Sequence, residues 1–187
     1  MPTIDYKARE VGLRFAIVGP VGSGRRSVLR KLHAQLPPSE RTEIAVIPFG
    51  TDRLMSFDFA PGDLLPTAEY RARATMVVFT GALSQTAACA RAFADVDALL
   101  FVADSRRAKT EENVAALRQL GAFRFLHEVP VVFFYNHRDA ADTLSIGELE
   151  ECLNPLHAPH RAGTATMGAG LEGALTDLTR ATLEAST

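Results

Sequence analysis

The chain has 187 residues, 47% of them apolar and 22% charged, with a formal net charge of −2. That balance suits a folded protein with a sizeable core and excludes a disordered chain, and the near-neutral charge offers no general attraction to nucleic acid or anionic membrane. The N-terminal stretch Met1 to Gly12 has no apolar centre of the secretory kind, and no apolar run reaches the roughly 20 residues of a membrane span, so a cytoplasmic protein is expected.

In chain order, Leu13 to Val18 is a short apolar run that reads as a buried strand. The glycine-rich stretch Gly19 to Gly24 follows. Ser27 to Leu36 then has helical spacing through Val28, Leu29 and Leu32, until Pro37-Pro38 stops it. Glu43 to Phe49 and Arg53 to Phe59 come next, the second carrying Leu54, Met55, Phe57 and Phe59. Arg71 to Phe79 alternates and then becomes continuously apolar, as a strand entering the core would. Leu83 to Ala94 reads as a helix of small residues, Ala98 to Ala103 as a buried strand, and Glu111 to His127 as a longer helix. Val129 to Tyr135 is the most apolar strand. Ser145 to Leu153 opens with a capping box, Ser145 followed by Glu148, and Gly170 to Leu183 closes the chain as an amphipathic helix.

Strands alternating with helices, several of the strands apolar throughout, predict an α/β fold: one domain over residues 1–187, a mostly parallel sheet of six strands and helices on both faces. Ligands of such sheets bind beyond the carboxyl ends of the strands. Cys89 and Cys152 are the only cysteines, and both are expected as buried thiols rather than a disulfide.

Gly19-Pro20-Val21-Gly22-Ser23-Gly24-Arg25-Arg26-Ser27 lies between the first strand and the first helix. A phosphate-binding loop in that position has the pattern G-x-x-x-x-G-K-[ST], whose backbone N–H groups converge on phosphate at a helix N-terminus. Gly19 and Gly24 have the required spacing, although glycines there also make a simple tight turn. The lysine is replaced by Arg25, a larger planar cation. The magnesium-ligating hydroxyl is replaced by Arg26, which repels a cation, and Ser27 lies one place too late. These arginines read either as solvated or paired side chains, or as an anion site without magnesium.

Several further segments fall into one order: IDYKAREV at 4–11, Gly19-Pro20, Phe57-Asp58-Phe59 with Pro61, VADS at 102–105, NHRD at 136–139, LNP at 153–155 and TATMGAG at 164–170. On these the chain, from about residue 4 to residue 183, resembles the MglA family, the bacterial Ras-like GTPases that set cell polarity and control motility. The resemblance implies a single Ras-like G domain of the P-loop NTPase fold. It places Asn136 and Asp139 in the loop that reads guanine, with His137 at the position of a lysine that packs on the base, and Thr164-Ala165 in the loop that closes the base pocket. A plain Asn/Asp turn after a buried strand is the alternative. The candidate nucleotide-binding residues are therefore Gly19, Gly22, Gly24, Arg25, Arg26, Ser27, Asn136, His137, Asp139, Thr164 and Ala165.

The two switch segments depart from the family. Arg53 matches its intrinsic catalytic arginine, but the magnesium-sensing threonine that follows is Leu54. The P-G-Q of the second switch reads Thr80-Gly81-Ala82, so the water-orienting glutamine is lost, with Gln85 as a remote substitute. Phosphoryl transfer rests on positioning and charge neutralisation, so losses at 25, 26, 54 and 82 multiply. The resemblance thus implies a pseudo-GTPase acting through protein contacts in polarity or motility control, with GTP or GDP binding optional and the magnesium site lost. A roadblock-type regulator, an MglA paralogue or polarity and motility proteins are the implied partners. A slow GTP-binding switch with Arg53 as catalytic arginine is the rival, and a ligand clamped without chemistry by Arg25 and Arg26 is a third reading. Without nucleotide, Arg25 and Arg26 are expected to fill the phosphate space. His157 and His160 near Cys152 read as a surface loop rather than a metal site. Arg106, Arg107 and Lys109 read as a solvated helix entrance, with partner contact as the alternative.

Overall fold

The computed structural model describes residues 2–7, 9–61, 71–123 and 129–185. Strand β1 (Thr3–Asp5) pairs antiparallel with the start of β2 (Glu10–Val18). Helix α1 (Arg25–Gln35) follows, then an antiparallel hairpin of β3 (Ala45–Phe49) and β4 (Asp52–Phe59), then β5 (Arg71–Phe79). Beyond it come α2 (Thr86–Ala92), β6 (Ala98–Asp104), α3 (Thr110–Gly121), β7 (Val131–Asn136), α4 (Ile146–Leu153), β8 (His160–Ala162) and α5 (Leu171–Glu184). The sheet runs β3-β4-β5-β2-β6-β7-β8, with β1 off that path.

The sheet has eight strands, not six. The two extra ones, β1 and β8, are three residues each, too short to show periodicity. The pairs β2–β5, β2–β6, β6–β7 and β7–β8 are parallel, whereas β1–β2, β3–β4 and β4–β5 are antiparallel. Parallel character is confined to the central and far strands, because a short hairpin between β3 and β4 can only pair antiparallel.

Both faces of the sheet are covered, which is why β2 and β6 read as unbroken apolar runs rather than as alternation. Phe15 and Ile17 join Val28, Leu29 and Leu32 of α1 and Leu171, Ala174 and Leu178 of α5 in one core. Ala16 and Val18 point the other way, into a core completed by Cys89 and Phe93, by Ala116 and Leu120 of α3, and by Leu149 and Leu153 of α4. Each of these larger apolar side chains contributes about 1.5–3 kcal/mol by leaving water. With both faces closed and the strands parallel, the loops after β2, β5, β6 and β7 gather at one end.

Several boundaries differ from the sequence reading. Helix α1 begins at Arg25, two residues before the predicted start, because Gly24 takes a left-handed conformation (φ 98°) and turns the chain directly into the helix. Helix α2 is shorter than Leu83 to Ala94, since Leu83 is buried below its first turn. Helix α3 stops at Gly121, where the amides of Ala122 and Phe123 fold back on Gln119 and Leu120. Residues 124–127 of that predicted helix lie outside the described residues. Cys89 is a buried thiol as expected. Cys152 is exposed, because α4 turns Leu149 and Leu153 inward and leaves its outer face to solvent. Among the described residues no helix is long and apolar enough to cross a membrane.

The capping box of α4 is present in full: Ser145 Oγ accepts the Glu148 amide at 3.2 Å, and Glu148 accepts the Ser145 amide at 2.7 Å. Ser145→Ala is expected to lower unfolding stability by about 1 kcal/mol in urea titrations, since the cap bond has no substitute in that loop.

Candidate functional site

The glycine loop is built for close approach. At Gly19 (φ 139°) a Cβ would lie 2.2 Å from the Val102 carbonyl oxygen, and at Gly24 one would lie 2.2 Å from Asn136 Nδ2. Neither position can carry a side chain without moving β6 or the β7 loop. Gly24 is needed where the loop touches Asn136, so the tight turn has a packing partner and is more than a change of direction.

Asn136 ties three loops together. Its Nδ2 donates to the Ser23 carbonyl at 2.7 Å, and its Oδ1 accepts the Ala165 amide at 2.8 Å. Thr164 Oγ1 donates to Asp139 Oδ1 at 3.1 Å. The structure thus brings together Ser23 of the glycine loop, Asn136 and Asp139 of the β7 loop, and Thr164 and Ala165. His137 sits among them in a left-handed conformation (φ 62°), its Nε2 buried and 3.9 Å from Asp104 Oδ2. Ser23 Oγ, Ser105 Oγ and His137 Nε2 are buried polar atoms without hydrogen-bond partners. Orphan atoms of this kind at a strand-end crevice suit a polar ligand.

The magnesium and phosphate side is different. Arg25 is 5% exposed. Its guanidinium crosses from the start of α1 to the end of β5, where Nη1 donates to the carbonyls of Phe79 (3.0 Å) and Gly81 (3.2 Å). Nη2 donates to Thr80 (3.3 Å) and Gly81 (3.1 Å). Burial lowers the pKa of Arg25 to about 10, partly opposed by Cys89 and Asp52, so the cation stays charged at neutral pH. Burial also pushes the Cys89 thiol up to about 11, with Arg25 acting against that shift. The expectation that Arg25 and Arg26 fill the phosphate space together is corrected. Arg25 bonds carbonyls of the β5 loop, which offer a guanidinium several acceptors at once, and Arg26 is exposed on the outer side of α1.

The β5 loop is held from a second side as well. Arg53 N donates to Thr80 Oγ1 and Thr80 N donates to the Arg53 carbonyl, both at 3.0 Å. Gln85 Nε2 donates to Asp52 Oδ2 at 2.9 Å, so its amide is engaged away from any water-orienting role. Leu54 is partly buried and packs against the core that Cys89 and Phe93 share. Ala82 offers only its backbone carbonyl, which accepts from Gln85 and Cys89. Ser27 is half-buried, and Gly22 (φ 87°) has open space at its Cβ position. The residues present therefore do not fit a magnesium ion: a cation stands at one ligand position, and a leucine packed against the core stands at the other.

Asp104 was not singled out in the sequence, yet it organises the crevice. It is buried, receives Arg106 through Nε and Nη2, and is backed by Asn113, which bonds both its amide and its carbonyl. Burial raises its pKa, but the hydrogen bonds from Arg106 outweigh that and hold the carboxyl below the ordinary aspartate range. The basic run at the start of α3 is consumed internally: Arg106 pairs with Asp104, Arg107 with Glu148 and Asp142, and Lys109 with Glu112. His160 pairs with Glu150, which also takes the Tyr135 hydroxyl. A recess of about 1040 Å³ lies at the opposite end of the strands and includes none of the loop residues above.

Two outcomes are expected. Arg25→Ala leaves buried carbonyls without donors and lowers unfolding stability by about 2–3 kcal/mol in denaturant titration. Asp104 has a folded pKa below its unfolded one, so its stabilisation is full above the ordinary aspartate value and is lost as pH falls through the depressed one. Asp104→Asn should therefore flatten the acid limb of a stability-against-pH profile measured by thermal melting.

No protein-family model matches the chain. It is 26% identical over 176 residues to the mutual gliding-motility protein MglA of Myxococcus xanthus (strain DK1622), an alignment covering 91% of this chain and 90% of that protein. The chain is thus related, over nearly its whole length, to the MglA-like small GTPases.

Proposed function

We propose that this protein is a pseudo-GTPase of the small-GTPase fold, acting through protein contacts in cell polarity or motility control, with nucleotide binding and hydrolysis lost or weak. The observation that carries this reading is the fourfold hydrogen bonding of Arg25 to the carbonyls of Phe79, Thr80 and Gly81. In the family that segment meets the terminal phosphate. Here it is fastened by the residue that replaces the phosphate-binding lysine. A switch whose sensing segment is bonded to its own glycine loop has its resting arrangement built in. The cation at Arg26, the apolar Leu54 and the short side chain at Ala82 act in the same direction, because each removes a contact on which phosphoryl transfer depends. The motility role rests on the relative's name, and a roadblock-type regulator, an MglA-like paralogue or other polarity proteins are the proposed partners.

One observation favours a second reading. The bonds of Asn136 to Ser23 and Ala165, with Thr164 on Asp139, keep the base-side framework assembled, which supports a guanine nucleotide held without magnesium chemistry. A thermal-shift titration of nucleotide-stripped protein with GDP, GTP and ATP, each with magnesium and with EDTA, separates the two. The pseudo-GTPase reading expects no magnesium-dependent shift with any of them, and a guanine-specific shift surviving in EDTA supports the second. Magnesium-dependent GTP hydrolysis abolished by Arg53→Ala would overturn both.

A further inference from the structure

Helix α1 contains no carboxylate. Its buried side holds Arg25, Val28, Leu29 and Leu32, so the 3.6-residue period turns Arg26, Ser27, Arg30, Lys31 and Ala34 outward. Arg26, Arg30 and Ala34 are exposed, and Ser27 and Lys31 are partly buried. Three cations therefore flank a strip of two small residues along the outer face of the helix. Among the described residues, none of these three cationic groups has an ion-pair or hydrogen-bond partner. Asp52, which shares a recess with Arg26 and Arg30, accepts from Gln85 instead.

The turn at 164–168 extends this face on its Lys31 side. The amides of Met167 and Gly168 both donate to the Thr164 carbonyl, at 2.9 and 3.0 Å, which closes the turn. Gln35 Nε2 donates to the Gly168 carbonyl at 3.3 Å, and a Cβ at Gly168 (φ 83°) would lie 2.6 Å from Lys31 Cε. The turn is thus seated against α1. Met167 is 71% exposed, an unbranched apolar side chain beside uncompensated cations. The net charge of −2 hides this arrangement, because the cations at the α3 entrance are paired and those of α1 are not.

We propose that the outer face of α1 and the Met167 turn form a peripheral docking surface for an anionic phospholipid bilayer. Arg26, Arg30 and Lys31 attract the headgroups, the small Ser27 and Ala34 let the helix approach closely, and Met167 enters the acyl boundary. A protein is the poorer occupant. A fitted interface is anchored by side chains in a pocket, whereas this face is a convex helix whose long cations are held by nothing. Mobile headgroups rearrange around such cations. The inference goes beyond the pseudo-GTPase reading and does not rest on it, since it uses none of the bonds that hold the β5 loop.

The test uses the full chain and sedimentation with vesicles of phosphatidylcholine alone, or of equal parts phosphatidylcholine and phosphatidylserine. Partition should be confined to the anionic vesicles and should fall as salt rises. Each surface cation raises partition about fivefold, so Arg30→Glu, which also adds repulsion, should lower it at least about tenfold. Arg118→Glu, on the exposed side of α3, changes the net charge equally and should stay within about twofold of wild type. Met167→Ser should weaken partition about threefold and leave its salt dependence unchanged, because only apolar contact is removed. Melting curves check that all three variants fold. No partition, equal partition onto neutral vesicles, or equal loss in Arg30→Glu and Arg118→Glu overturns the docking surface. So does saturable binding of a fluorescein-labelled oligoglutamate peptide that Arg30→Glu abolishes, with no partition onto vesicles, since the occupant would then be an acidic protein segment. Each of these failures leaves the pseudo-GTPase reading standing, and a magnesium-dependent guanine shift discards that reading while leaving the vesicle result in place.

Discussion

A guanidinium buried at the end of β5 constrains everything else at this end of the sheet. Taking a cation out of water is costly, and the cost is offset here by four hydrogen bonds to three consecutive residues' carbonyls, with the Asp52 carboxylate and the Cys89 sulfur nearby. Because Arg25 opens α1, the same bonds fix the helix start, the glycine loop and the β5 loop relative to one another. The backbone exchange between Arg53 and Thr80 holds that loop from the hairpin side. An element held from two sides by buried hydrogen bonds does not drift, and moving it would strand acceptors that water cannot reach.

The strand-end crevice divides into two halves with different physical states. On the base side, Asn136 acts as a bracket between the glycine loop and the loop carrying Thr164 and Ala165, and the buried Asp104 forms a charge-assisted pair with the partly exposed Arg106. Three polar atoms there lack partners, which leaves that half chemically receptive. On the other half Gln85 is held by Asp52 and Arg25 by carbonyls, and Leu54 packs, partly buried, against the core. The relationship to MglA explains why the scaffold is retained. The side chains explain why its chemistry does not follow automatically.

Charge placement follows the same division. Basic residues at the start of α3 are all paired with carboxylates, whereas those on the outer face of α1 are left to solvent. Within one nearly neutral chain, that contrast puts uncompensated positive charge on one face of a helix. Net charge, averaged over the molecule, conceals it.

The strands β6 and β7, and the inner halves of β2 and β5, were legible in the sequence because parallel strands buried on both faces have to be apolar, and the glycine loop because its φ angles and close contacts exclude side chains. The capping box of α4 was legible for a local reason too, since its partners are three residues apart. The loops of the base side were found through family spacing, and the replacements at 25, 26, 54 and 82 could be seen as departures from it. What the sequence could not show is where a replaced side chain goes. Arg25 bonds residues 54 to 56 positions away, and Asp104 and Asn113 meet only because α3 folds back over β6. The strands β1 and β8 have too few residues to leave a pattern. Local periodicity and backbone sterics are written in neighbouring residues, so the sequence by itself determined the elements and the glycine positions. The destination of a long, charged side chain depends on which acceptors the fold brings within reach, and only the tertiary structure decided that.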